Sequence, residues 1–172
     1  MLVLDADERV SAGLKTEIEK AVGIPDYQGY YMPRKNFFLG KWISHSGWWP
    51  DHTLRLFKKE SGSMEEREVH EKIVVNGNIG VLQNPLEHYT YRTISENLKK
   101  MDNYSTLSAK ELHKHGVTFK KSFLCYKPLA TFIKMFLIRQ GFRDGFHGLV
   151  LSLLYSFYTL LKYVKLWEMQ RE

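Results

Sequence analysis

The sequence predicts an α/β fold from three observations. Residues 2–4 are Leu-Val-Leu, a buried-strand run that ends in the acidic stretch Asp5-Ala6-Asp7-Glu8. Strand-like segments recur up to Leu82, and the rest of the chain reads as helices. Helix and strand patterns therefore both occur within one chain of 172 residues and 20.3 kDa, long enough to bury a core.

Taken in order, Ser11 is placed to cap a short helix whose Leu14, Ile18 and Val22 share a face, and Gly23 to Pro25 end it. Gly29 to Phe38 is aromatic and strand-like, and Pro33 within it predicts an edge strand or a strand plus loop. Residues 40–51 read as an ordered loop, Thr53 to Lys58 as a strand and Glu60 to Ser63 as a turn. Ile73-Val74-Val75, Asn76-Gly77 and Ile79 to Leu82 predict a hairpin, since Asn-Gly suits the positive φ angles of a type I′ turn. Thr93 and Glu96 form a capping box for a helix from about Ile94, and Gly116 fits its C′ position. Pro128 is expected in the first turn of the next helix, which runs to about Gln140; Gly141 to Gly145 breaks the chain, and a last helix covers about Phe146 to Trp167.

Composition narrows the function classes. Aromatic content of 14% argues for packed structure, or sugar and lipid contact, over disorder. The single cysteine, Cys125, excludes an intramolecular disulfide and a CxxC metal site. No basic, then apolar, then small-residue leader opens the sequence, and the sequon Asn103-Tyr104-Ser105 stands without other signs of secretion. The net charge of +6 is concentrated: residues 119–172 hold nine Lys/Arg against three acids, and residues 1–118 hold sixteen of each. The chain is accordingly divided into 1–118 and a basic, apolar helical region, 119–172. Cations among Leu-rich runs point to an anionic membrane surface, whereas nucleic acid calls for exposed aromatic platforms among them. From Phe146 to Leu161 the helix is apolar apart from His147 and spans about 24 Å, short of the roughly 30 Å hydrocarbon core. A helical pair lying in the interface is expected, with Phe146, Leu149 and Leu153 toward lipid and Lys162 and Lys165 toward headgroups; a helix packed inside the protein is the plainer alternative.

Three constellations carry candidate chemistry. If the first strand continues, Asp5 and Asp7 point the same way, forming a hard-oxygen site for a divalent cation holding a diphosphate; the plainer reading has them close the strand and cap the next turn. A haloacid-dehalogenase reading fails because Glu8-Arg9 follow where Thr or Val is needed after one spacer. Glu68-Val69-His70-Glu71 precedes the expected hairpin, so Glu71 is a candidate general base and His70 a ligand or a positioning group, against solvated surface residues as the simpler account. Trp48-Trp49-Pro50-Asp51 suits stacking on a sugar ring or a membrane boundary, with Arg55 for a phosphate. Core packing explains one Trp more easily than two.

The strings Leu-Val-Leu-Asp-Ala-Asp-Glu-Arg-Val-Ser, Leu39-Gly-Lys-Trp-Ile-x-His-Ser-Gly-Trp-Trp-Pro-Asp51, Leu54-Arg-Leu-Phe57, Val69-His-Glu71 and His88-Tyr-x-Tyr-Arg92 resemble family 2 glycosyltransferases. Among them the chain is most similar to the group acting on lipopolysaccharide core, the β-glucosyltransferases. The resemblance runs through nearly the whole chain, in order. It implies the C-terminal portion of a GT-A, Rossmann-like fold followed by amphipathic helices, and inverting transfer of a sugar from a nucleotide-sugar donor to a lipopolysaccharide-core or related glycolipid. It also implies Mg²⁺ or Mn²⁺ held by Asp7 with Asp5, Glu71 as base with Glu68 as runner-up and His70 beside them, and donor or acceptor contacts from Arg34, Trp48, Trp49, Asp51 and Arg55. The implied place of work is the cytoplasmic face of the inner membrane, peripheral or shallowly inserted, with no nucleic-acid partner. Family members carry about half a domain before the Asp-x-Asp strand, including the nucleotide-base loop, and this sequence begins at that strand. The 172-residue chain alone is therefore expected to transfer little sugar, and a non-catalytic membrane-surface binding protein is the competing class.

Overall fold

A ten-residue strand, Gly29–Phe38, organises the first half of the molecule, because strands pair along both of its edges. The computed structural model describes residues 1–24, 26–65 and 72–171. These pack as two units: residues 1–44 with 48–90, and residues 45–47 with 91–172. In the first, the elements are β1 (Glu8–Val10), α1 (Ala12–Val22), β2 (Gly29–Phe38), β3 (Lys41–Trp42), β4 (Asp51–Phe57), β5 (Gly62–Glu65), β6 (Lys72–Val75), β7 (Ile79–Val81) and β8 (Leu86–Tyr91). The second holds α2 (Ile94–Lys114), α3 (Phe123–Ile133) and α4 (Phe146–Met169).

β2 pairs antiparallel with β4, from Gly29 opposite Phe57 to Arg34 opposite Asp51, and with β3 at its far end. β7 joins parallel to Gly29–Tyr31, β8 lies beside β2, and β1 pairs antiparallel to β8 with Glu8 opposite His88. Residues Met1 to Val3 run along β4, with Val3 N–H donating to Arg55 O at 2.9 Å. Under the sheet, α1 seals a core of Leu14, Ala21, Tyr30, Met32, Leu56, Leu82 and Leu86. Fully burying Leu14, Met32 or Leu86 in this way is worth roughly 1.5–3 kcal/mol each. As expected, Ser11 caps α1, its hydroxyl accepting from Leu14 N–H at 3.2 Å.

Several expectations are corrected. β2 is interior and unbroken. Pro33 sits opposite His52, two residues beyond the end of the β7 pairing, so that ladder does not need its missing N–H. The Asn76-Gly77 hairpin does not form: β6 pairs with β5 in a separate two-stranded sheet, while β7 joins β2. Asn76 N–H donates to Ser61 O and Gln28 N–H to Asn78 O, so the turn hands the chain from one sheet to the other. Gly77 is needed there, with φ of +118° and Gln28 Cγ 2.5 Å from where a Cβ would lie. Pro128 lies in the interior of α3, five residues after its first, Phe123.

The helical unit follows its capping signals closely. Thr93 Oγ1 accepts from Glu96 N–H at 3.1 Å, and Glu96 Oε2 accepts from Arg92 N–H at 3.0 Å. α2 ends in a Schellman arrangement, Gly116 N–H to His113 O and Val117 N–H to Leu112 O, with Gly116 at φ +70°. α4 packs against both other helices. Ala109, Tyr163 and Leu166 form a core with Phe119, Phe123 and Leu124 around it. Tyr158 OH meets Ser108 Oγ at 2.7 Å, and Thr131 meets Thr159 at 3.1 Å. By packing, the units divide near Thr90, because α2 buries its apolar face on α4.

Candidate functional site

The first unit gathers its charged groups around one buried carboxylate. The first strand stops short of the acidic pair: Glu8 N–H donates to Asp5 O at 3.0 Å, closing a turn over residues 5–8. The alternation that would align Asp5 and Asp7 is therefore absent. The turn instead brings Glu8, fully buried, beneath Asp5, whose N–H donates to Glu8 Oε2 at 2.9 Å. Arg55, from β4, donates through Nη2 to Glu8 Oε1 at 2.8 Å and also pairs with Asp5. Arg34, from β2, lies 3.6 Å from Glu8 Oε1 and grips Asp51 through Nε at 2.9 Å and Nη2 at 2.7 Å. Two arginines on one buried acid offset the cost of desolvating it, which is the condition under which a buried charge is tolerated.

The network continues through residues to which the sequence assigns no role. Asn36 Nδ2 donates to Asp51 Oδ2 at 3.1 Å and to Trp48 O at 3.2 Å. That fixes the amide, leaving Asn36 Oδ1 as the acceptor 2.6 Å from His88 Nδ1. His88 Nδ1 therefore carries the ring proton, and Thr90 Oγ1 lies 3.2 Å from the same nitrogen. Burial, followed by the Arg34 charge, holds the His88 pKa below its usual 6.5, against the opposing pull of Asp7, Glu8 and Asp5. In the neutral ring, Nε2 presents a lone pair to Asp7 Oδ1 at 3.5 Å. Two electron-rich groups converging in this way suit a cation between them. With four carboxylates against two arginines, the cluster carries a formal excess of two negative charges while His88 is neutral.

The aromatic loop divides its two tryptophans. Trp48 packs edge-on to the buried Phe38, ring centres 6.2 Å apart. Trp49 meets the exposed Trp42 edge-on at 5.6 Å, and Lys35 Nζ sits 4.7 Å above the Trp42 ring. Core packing thus accounts for Trp48, and the pair with an outward face is Trp49 with Trp42. Alternation in β2 explains the separation: Arg34 and Asn36 face the acids, while Lys35 lies between them on the other side.

The proposed base and its neighbours, Glu68, His70 and Glu71, lie outside the described residues. Arg34, Asp5, Asp7, Asp51 and Arg55 are brought together. Arg55 is committed to Asp5 and Glu8 rather than directed to solvent, and its buried Nε has no partner among the described residues. Of the residues assigned to lipid, Phe146 and Leu153 are exposed and Leu149 is half-buried. Lys165 is tied to α2, donating to Asp102 O at 2.7 Å and Asp102 Oδ1 at 2.5 Å, and Lys162 Nζ lies 5.2 Å from the Tyr163 ring centre. His88 lies in one of the resemblance strings and so is legible in part, but nothing local marks Asn36 or Glu8 as buried members of a network.

No family model matches the chain, and no solved structure matches it. It is 29% identical over 181 aligned positions to an uncharacterized glycosyltransferase of Rickettsia typhi, covering 98% of this chain and 62% of that protein. It is 24% identical over 168 positions to a lipopolysaccharide core biosynthesis glycosyltransferase of Rhizobium meliloti, covering 96% of this chain and 62% of that one. An uncharacterized glycosyltransferase of Rickettsia prowazekii is 28% identical over 178 positions, with 96% and 61% covered. The chain thus spans about three-fifths of the length of these relatives.

Proposed function

We propose that this chain serves in glycosyl transfer, taking a sugar from a nucleotide-sugar donor to a lipopolysaccharide-core or related glycolipid acceptor. The reading is carried by similarity to proteins named glycosyltransferases along nearly its whole length, 96–98%. The GT-A architecture, family 2 membership and inversion at the anomeric carbon belong to the same proposal, supported by the mixed sheet with α1 packed beneath it.

The same proposal includes a divalent cation at the acidic cluster. Among the described residues no three His, Cys, Asp or Glu side chains are grouped to enclose an ion. Substrate phosphate and water would therefore have to supply most of the ligands, as Mg²⁺ commonly accepts. Asp7 is the carboxylate to hold it, with His88 Nε2 beside it and Asp5 as a second oxygen donor when released by Arg55. The bound cation would neutralise charge on the departing nucleoside diphosphate. Glu8, Arg34 and Arg55 position this turn, Asp51 and Asn36 tie it to the tryptophan loop, and the Trp49–Trp42 pair provides an apolar edge against a sugar ring. Glu71, with Glu68 as the alternative, is assigned to take the proton from the acceptor hydroxyl.

The test is calorimetric titration of the purified chain with Mn²⁺ and a panel of nucleotide sugars. Binding that requires the metal and weakens at least about tenfold in Asp7→Ala is expected. Mn²⁺ binding identical in Asp7→Ala and wild type, with no nucleotide sugar retained, would remove the proposal.

A further inference from the structure

The helical unit presents four exposed apolar groups around the turn from α3 into α4, including its two most exposed, Phe146 and Ile138. α3 ends in a wide π turn, Lys134–Ile138, closed by Arg139 N–H to Lys134 O at 2.8 Å. Met135 is buried by that turn, leaving Leu137 and Ile138 outside at 54% and 71% exposure. A 3₁₀ segment, Gly141–Asp144, then turns the chain into α4, and it carries Phe142 at 51% and Phe146 at 75% exposure. Lys134, Arg139 and Arg143 are exposed at the same corner.

The corner is tightly built. Gln140 and Gly145 hold positive φ angles of 54° and 64° on either side of it. Gly148, in the first turn of α4, lies so close that a Cβ there would meet Gly141 O at 1.9 Å. Asp144 is buried and accepts the His45 backbone N–H at 2.9 Å. Four large apolar side chains held out on a fixed corner have nothing to gain from water, and a soluble surface rarely groups them so.

We propose that this corner is a wedge that inserts shallowly into an anionic lipid surface. Leu137, Ile138, Phe142 and Phe146 enter the acyl boundary, and Lys134, Arg139 and Arg143 meet the headgroups. Charge complementarity selects the occupant: three cations around an apolar tip match a negative bilayer, and the unit as a whole carries fourteen Lys/Arg against six Asp/Glu. Lys162 and Lys165 play no part, since Lys165 is bonded to Asp102 and Lys162 is half-buried. α4 is long and apolar enough to cross a membrane by length and composition, but its Leu151, Ser152, Thr159, Tyr163 and Leu166 are buried within its own unit. The wedge therefore enters by its tip while α4 stays packed on α2 and α3. This inference deepens the glycolipid-acceptor reading yet needs no donor, so it succeeds or fails separately from sugar binding.

The test uses the full chain with Cys125→Ser and a single new cysteine, Phe142→Cys, carrying an environment-sensitive fluorophore. Vesicles of phosphatidylglycerol and phosphatidylcholine should raise and blue-shift its emission, while the same label at Leu98→Cys on α2 should not respond. In flotation, the pair Lys134→Gln and Arg143→Gln should weaken binding roughly thirtyfold, from the usual attraction per surface cation. Ile138→Ser with Phe146→Ser should also release the protein, with circular dichroism reporting unchanged helix content. A silent label at position 142, equal partition into neutral vesicles, or a dimer abolished by Ile138→Ser with Phe146→Ser would each overturn the wedge.

Discussion

The two units handle charge in opposite ways. The sheet unit holds eleven Lys/Arg against thirteen Asp/Glu and turns several of them inward, onto a fully buried glutamate. Its helical counterpart is strongly basic and leaves cations outside, next to apolar side chains. Inward charges must be paired and aimed, which creates a positioned cluster suited to chemistry. Outward charges beside apolar groups stay hydrated and act on whatever surface comes near. On the two proposals above, the sheet unit is the place where atoms are held and the helical unit the place where the molecule adheres.

The contrast breaks most sharply at Glu8. Glu8→Ala leaves Arg34 and Arg55 facing a buried void, and it should cost about 3–5 kcal/mol in urea unfolding. A loss below about 1 kcal/mol would mean that the cluster is solvated and the distinction false. The second largest effect belongs to the helical unit, where Gly148→Ala forces a methyl against the Gly141 carbonyl and should cost about 1–3 kcal/mol.

Acid should act on the sheet unit through His88. Its folded pKa is lowered, so the unfolded chain takes up the proton first as pH falls. His88 therefore leaves stability unaffected well above 6.5, subtracts from it as pH drops through the unfolded value near 6.5, and adds no further loss below the folded pKa. Denaturation at pH 8 and pH 5 should show a smaller acid loss in His88→Gln than in wild type; an equal loss would assign the effect to other groups. The smallest effect is expected at Asp102, the exposed partner of Lys165: Asp102→Ala should change stability by less than about 1 kcal/mol, and added salt should shrink even that.

Much of this was legible locally. The caps at Ser11 and Thr93 and the glycine at position 116 act over a few residues, so the chain carries them in readable form. Asn76-Gly77 does not close a hairpin because its flanking strands pair elsewhere, β6 with the preceding β5 and β7 with the distant β2. Residue type singles out Asp5, Asp7, Asp51 and Arg55, and the resemblance adds Arg34; the structure links Arg34 to Asp51 and Arg55 to Asp5, whereas Glu8, Asn36 and the His88 tautomer emerge only from the network. Charge alone points to Lys162 and Lys165, whereas in the structure Lys165 is bonded to Asp102 on α2 and Lys162 is half-buried.

What the sequence determined by itself was the α/β class, the helix boundaries at their caps and the crowding of positive charge toward the C-terminal helices. These depend on backbone propensity, hydrophobic period and composition, which operate between near neighbours. Only the tertiary structure decided which carboxylate is buried, which tryptophan faces out and where the exposed apolar corner lies. Burial and pairing are set by residues brought together from distant parts of the chain, and the free energy of a charge or an aromatic ring depends on those neighbours more than on its own identity.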